Sequence, residues 1–131
     1  MLGFSKAAVV LAATVSLVAC STLAPIENVE NASVIAVANK PLTAEQVRGA
    51  IVRAGAGLGW IMKDAAPGQL TGTLLLRTHT AEVRIPYSPT GYSIGYKSSL
   101  NLQESGGKIH RNYNGWIQNL NRGINAQLAA S

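Results

Sequence analysis

Residues 68–97 read GQLTGTLLLRTHTAEVRIPYSPTGYSIGYK, and their alternation decides the fold. Leu70, Gly72, Leu74 and Leu76 fall on one side of an extended chain, with Thr71, Thr73 and Arg77 mainly on the other. Ala81, Val83, Ile85 and Tyr87 alternate with Glu82 and Arg84, the pattern of a strand with one buried and one wet face. Tyr92, Ile94 and Tyr96 alternate with Ser93, Gly95 and Lys97 in the same way. Ser88-Pro89-Thr90-Gly91 supplies a turn, and Pro86 either stops its strand or places it at a sheet edge. Upstream, Trp60 and Met62 alternate with Ile61 and Lys63 before a Pro67-Gly68 turn. Consecutive strands joined by short turns predict an antiparallel meander of three to four strands, packed on one face only.

The packed face needs a cover, and two amphipathic stretches flank the strands. Thr43 and Gln46 form a capping-box pattern, with Glu45 in the first turn where the helix dipole favours an acid. Val47, Ala50, Ile51, Ala54 and Leu58 follow at helical spacing, until Gly55, Gly57 and Gly59 end the helix. Those glycines close a helix rather than open one, so they lack the strand–loop–helix setting of a phosphate loop. After Ser105-Gly106-Gly107, the residues Ile109, Tyr113, Trp116, Ile117, Leu120, Ile124 and Leu128 mark a second helix, with Trp116 in mid-stripe. Asn114-Gly115 is its weak point, since both residues are poor helix formers. The expected class is α+β in two layers, in the order helix, strands, helix.

The chain has 131 residues, room for one domain, with 11 Lys+Arg against 6 Asp+Glu. One Cys excludes an internal disulfide, and two His offer no metal-ligand cluster. The N-terminus is more explicit. Lys6 precedes an apolar run of about 13 residues, shorter than the ~20 that span a bilayer and suited to a signal peptide. It ends in Leu17-Val18-Ala19-Cys20, the pattern of a bacterial lipobox, in which the Cys sulfur is acylated and the chain is cut before it. The organisation expected is therefore a removed signal at 1–19, a lipidated N-terminus and tether at 20–40, and one periplasmic domain at 41–131. Within the tether, residues 33–38 (SVIAVA) have the β-branched character of an edge strand. Ser21 follows the cysteine where an Asp would favour inner-membrane retention, so the expected address is the inner leaflet of the outer membrane.

Chemistry is scarce. His79 lies in a turn and His110 at the start of the last helix, neither in a catalytic motif, and no two acids have a suggestive spacing. The reading is non-enzymatic, with no cofactor, no metal and no nucleic-acid partner. The C-terminal half is basic, with Arg84, Lys97, Lys108, Arg111 and Arg122 against Glu104. Tyr92 and Tyr96 share a strand face and are placed to show hydroxyls at a groove. Tyr92, Tyr96, Lys97 and Arg111 are thus the candidate partner-binding residues, and Cys20 the lipidation site.

The lipobox, Leu42-Thr43-Ala44-Glu45-Gln46-Val47-Arg48, Gly55-Ala56-Gly57-Leu58-Gly59-Trp60, Thr71-Gly72-Thr73-Leu74 and Asn112-Tyr113-Asn114-Gly115-Trp116 together resemble a family of small, uncharacterised proteobacterial lipoproteins. The resemblance implies an envelope location in a Gram-negative cell and carries no activity or site residues. Two functions fit these residues: a lipid-anchored module that docks onto an envelope protein or cell-wall partner, or a carrier of a small or lipidic ligand held between sheet and helices. A carrier needs an enclosed apolar cavity, whereas a docking module has a filled core.

Overall fold

Thr43 starts helix α1 (Ala44–Gly57) through the expected reciprocal bonds. The Gln46 amide donates to Thr43 Oγ1 at 3.1 Å, and the Thr43 amide donates to Gln46 Oε1 at 2.9 Å. Val47, Ala50, Ile51, Ala54 and Gly55 form the buried stripe, and Leu58 leaves it to cap the C-terminus half-exposed. Gly55 is part of the helix. A Cβ there would lie 2.5 Å from Met62 Cε and 3.3 Å from Trp60 Cβ, so the missing side chain lets α1 press onto the first strand of the meander. Gly59, at φ +86°, then makes the turn into that strand.

The computed structural model describes residues 3, 22–35 and 40–131. Among them are strands β1 (Leu23–Pro25), β2 (Val29–Ser33), β3 (Trp60–Ala66), β4 (Gln69–Leu76), β5 (His79–Pro86), β6 (Gly91–Leu100) and β7 (Lys108–His110), with helix α2 (Asn112–Ala129) closing the chain. The four-strand meander β3–β6 is present, and every pair in it is antiparallel. Pro86 is the last residue of its strand, where its lost amide matters least. Between β5 and β6 the register shifts. Glu82 faces Ser98 while Val83 faces Tyr96, and Lys97 is the extra residue of this bulge.

Buried Trp60, Leu70, Leu74, Ala81, Val83, Ile85, Tyr92 and Ile94 line one sheet face and join the buried stripes of both helices in a single core. Gly123 of α2 lies close to Ala54, letting the two helices meet. The α+β class and the single helical layer therefore hold.

The finer expectations need correction. The sheet has five strands, in the order β2-β6-β5-β4-β3, because β2 from the N-terminal segment adds beside β6. A second, two-stranded sheet pairs β1 with β7. The stretch assigned to a tether is thus largely built into the body. Ile26 donates its amide to Gly107, Val34 to Thr90, and Arg111 to Thr22. The described edge strand lies at 29–33 and ends at Ser33, where the expected strand over 33–38 begins. Its β-branched composition was a poorer guide than tertiary pairing, since polar VENAS turns Val29 and Ala32 toward the core across a bulge where Asn31 takes φ +51°. Ile35 is exposed, and residues 36–38 lie outside the described residues.

The last helix begins at Asn112, not at Ile109. Ile109 is fully buried, but as the central residue of β7 opposite Ala24. Trp116 is also displaced from its expected place. It is only half-buried at the margin of the core, while Tyr113, Ile117, Leu120, Ile124 and Leu128 fill the stripe. Asn114 takes the remaining inward position.

Candidate functional site

The four residues expected to bind a partner do not converge. Tyr92 is buried, and its hydroxyl lies between two α2 carboxamides, 2.5 Å from Asn121 Oδ1 and 2.9 Å from Asn125 Oδ1, with one proton to donate to either. Tyr96 also turns inward. Its ring meets Tyr113 edge-on, with centroids 5.6 Å apart and planes at 80°, and its hydroxyl lies 2.8 Å from Ser99 Oγ. These tyrosines turn their rings and hydroxyls inward and tie β6 to α2. Lys97 lies on the outer sheet face, with Nζ 3.8 Å from Glu82 Oε2, which also accepts from Ser98 Oγ. Arg111 is exposed at the start of α2. Cys20 lies outside the described residues.

The two histidines serve the backbone. His79 Nδ1 sits 2.7 Å from the Asn101 carbonyl, and His110 Nδ1 accepts the Asn112 amide at 3.2 Å. Among the described residues no group of three His, Cys, Asp or Glu could hold a metal ion, and no helix is long and apolar enough to cross a membrane. The strongest exposed ion pair joins Arg48 to Asp64 through two bonds of 2.8 Å, linking α1 to β3. The guanidinium lowers the Asp64 carboxyl below its ordinary pKa, chiefly by that hydrogen bond.

Sequence reasoning missed Asn114. Its side chain is buried where the N-terminal segment crosses α2. Oδ1 accepts the Glu27 amide at 3.0 Å, and Nδ2 donates to the Pro25 carbonyl at 2.9 Å. One carboxamide therefore satisfies a donor and an acceptor that β1 leaves behind. The residue that weakened the helix prediction is the one that fastens the N-terminal strap. Beside it an open depression of about 510 Å³ is lined by Glu27, Arg111, Trp116, Gln118 and Asn119. Two of these lining residues are joined, with Gln118 Nε2 donating to Glu27 Oε2 at 2.9 Å.

Burial sets the chemistry of the two inner tyrosines. It pushes the Tyr92 phenol up to about 12, and it raises Tyr113 as well, with nearby Tyr96 adding to the effect. Both groups favour the neutral form in the folded state. Their contribution to stability is complete below the unfolded tyrosine pKa near 10 and is lost as pH rises toward 12. The Tyr113 hydroxyl, moreover, is buried without a hydrogen-bond partner among the described residues. Tyr113→Phe should therefore stabilise the fold at neutral pH by about 1 kcal/mol and make the loss of stability above pH 10 shallower. Thermal melts from pH 7 to 11.5 check both effects. A lower melting temperature at pH 7 would show that the hydroxyl is satisfied.

Searched against protein families, curated proteins and solved structures, the chain matches none.

Proposed function

We propose that this chain is a lipid-anchored envelope protein, acylated at Cys20, whose domain docks onto an envelope protein or cell-wall partner without catalysing a reaction. The observation that carries the reading is Leu17-Val18-Ala19-Cys20, placed at the end of an apolar run too short to span a bilayer. The resemblance to small proteobacterial lipoproteins supports the same address, and Ser21 supports sorting to the outer membrane with the domain in the periplasm. Docking is favoured over ligand carriage because the space between sheet and helices is occupied. Tyr113, Ile51, Leu70, Ile85, Ile94, Ile117, Leu120 and Ile124 are all buried there to 1% exposure or less.

Cys20→Ser should leave either uncleaved precursor or soluble protein, whereas the native chain should band with outer-membrane markers on a density gradient. A cleaved Cys20→Ser form that still sediments with membranes would refute the anchor. Native protein banding with inner-membrane markers would refute the sorting. A lipid or small molecule co-purifying in stoichiometric amount would favour the carrier.

A further inference from the structure

The N-terminal strap leaves almost no slack between the proposed anchor and the folded body. Thr22 is already docked, its carbonyl accepting the Arg111 amide at 2.8 Å. From Cys20 to Thr22 the fully extended chain reaches about 7 Å. An acylated Cys20 therefore brings one particular part of the domain to the bilayer: the β1–β7 ribbon and the first turn of α2.

The strand register shows what else lies there. Leu76 pairs with His79 and Thr80 with Leu100, so the β4–β5 turn and the end of β6 share one end of the sheet. Leu102 lies two residues beyond β6, and its carbonyl accepts the amide of His110, next to Arg111. Of the six large apolar residues exposed among the described residues, three are at this end: Leu75 and Leu76 at the end of β4, and Leu100 at the end of β6, while Ile61 pairs with Thr73 three residues further in. Leu75 and Leu100 flank Thr80 on neighbouring strands, and they are 61% and 67% exposed. Trp116 adds a partly exposed aromatic ring near Arg111. The charges at this end are Arg77 at the turn, Lys108 and Arg111, against Glu104 and a Glu27 engaged by Gln118. Apolar side chains, an indole and a slight excess of cations suit a phospholipid surface.

We propose that this end of the sheet, carrying Leu75, Leu76, Arg77, Leu100, Arg111 and Trp116, lies against the same phospholipid surface that holds acylated Cys20. The proposal rests on the lipoprotein reading above. It fixes the domain's orientation and leaves the opposite end, with the turns at Pro67-Gly68 and Ser88–Thr90, facing away from the bilayer toward any partner.

Acylation consumes the lone thiol of the chain, so a single introduced cysteine is the one free label site. Leu76→Cys and Leu100→Cys at the proposed contact, and Pro67→Cys at the far end, all change exposed residues. Each full mature protein, carrying an environment-sensitive fluorophore, is reconstituted in phosphatidylethanolamine–phosphatidylglycerol vesicles containing brominated lipid. Labels at 76 and 100 should be quenched several-fold more than the label at 67. Equal quenching at both ends, or none at 76 and 100, overturns the orientation. So does a blue shift at 76 and 100 that rises with protein concentration without lipid quenching, since it assigns the surface to a second copy. Intact mass separates the two layers of the argument. A chain without acyl groups removes the anchor and the proposal together, whereas an acylated chain with unquenched labels removes the orientation alone.

Discussion

Leu120→Ala should destabilise the domain by about 2–5 kcal/mol, whereas Trp116→Ala, one turn earlier on the same helix, should cost about 1 kcal/mol. The contrast runs against side-chain size. Leu120 is fully buried in the centre of the α2 stripe, between Ile117 and Ile124, so its truncation loses the transfer energy of the removed atoms and leaves a cavity. Trp116 keeps part of its ring in solvent at the margin of the core, and there truncation leaves no void that water cannot enter. For a domain of this size each kcal/mol is worth about 4–8 °C, so thermal melts resolve the two variants easily. Equal losses would return Trp116 to the core and would also weaken its place on the proposed lipid-facing surface.

The second large effect is expected at Asn114. Asn114→Ala removes both partners of a buried crossing, leaving the Glu27 amide and the Pro25 carbonyl without their bonds. Each such loss costs about 1–3 kcal/mol, offset by roughly half a kcal/mol from the better helix propensity of alanine, so a net loss of about 1.5–5.5 kcal/mol is expected. The damage should also be local. Hydrogen exchange should accelerate first in β1 and β7, which form the small two-stranded sheet, and last in β4 and β5. Asn114→Asp keeps the acceptor but turns a carboxylate toward the Pro25 carbonyl, and should not rescue the contact. If exchange in β1 stayed slow in the alanine variant, the strap would owe its place to strand pairing and side-chain packing alone.

The parts of this fold that were legible in the sequence are those whose signal is local and periodic. Thr43 and Gln46 announced α1 because a capping box lies within four residues. The inward faces of β4, β5 and β6 followed from alternation, and even Tyr92 and Tyr96 were correctly placed on one side. What alternation does not tell is which side carries the helices, and that is why two core tyrosines looked like groove residues. The misses share a different cause. Strands of three residues, such as β1 and β7, have no period to read, and Lys108-Ile109-His110 extended the helical stripe by coincidence. VENAS is polar enough to pass for linker, and only the presence of β6 makes it a strand. Asn114 was judged by its propensity, a weak prior that a buried pair of hydrogen bonds outweighs.

The strap also sets an order of events. Glu27 and Asn114 are 87 positions apart, and β1 and β2 both pair with strands that come after the α1–β5 block. Neighbouring strands of the meander close short turns, so their contacts form at little entropic cost, while the strap must close most of the chain into a loop before any of its bonds exist. Its assembly is therefore the late phase of folding, and its release the early phase of unfolding. A chain emerging N-terminus first would hold β1 and β2 idle until the strands and helix they pair with had followed, and in stopped-flow refolding a probe on β1 should lag behind one on β5.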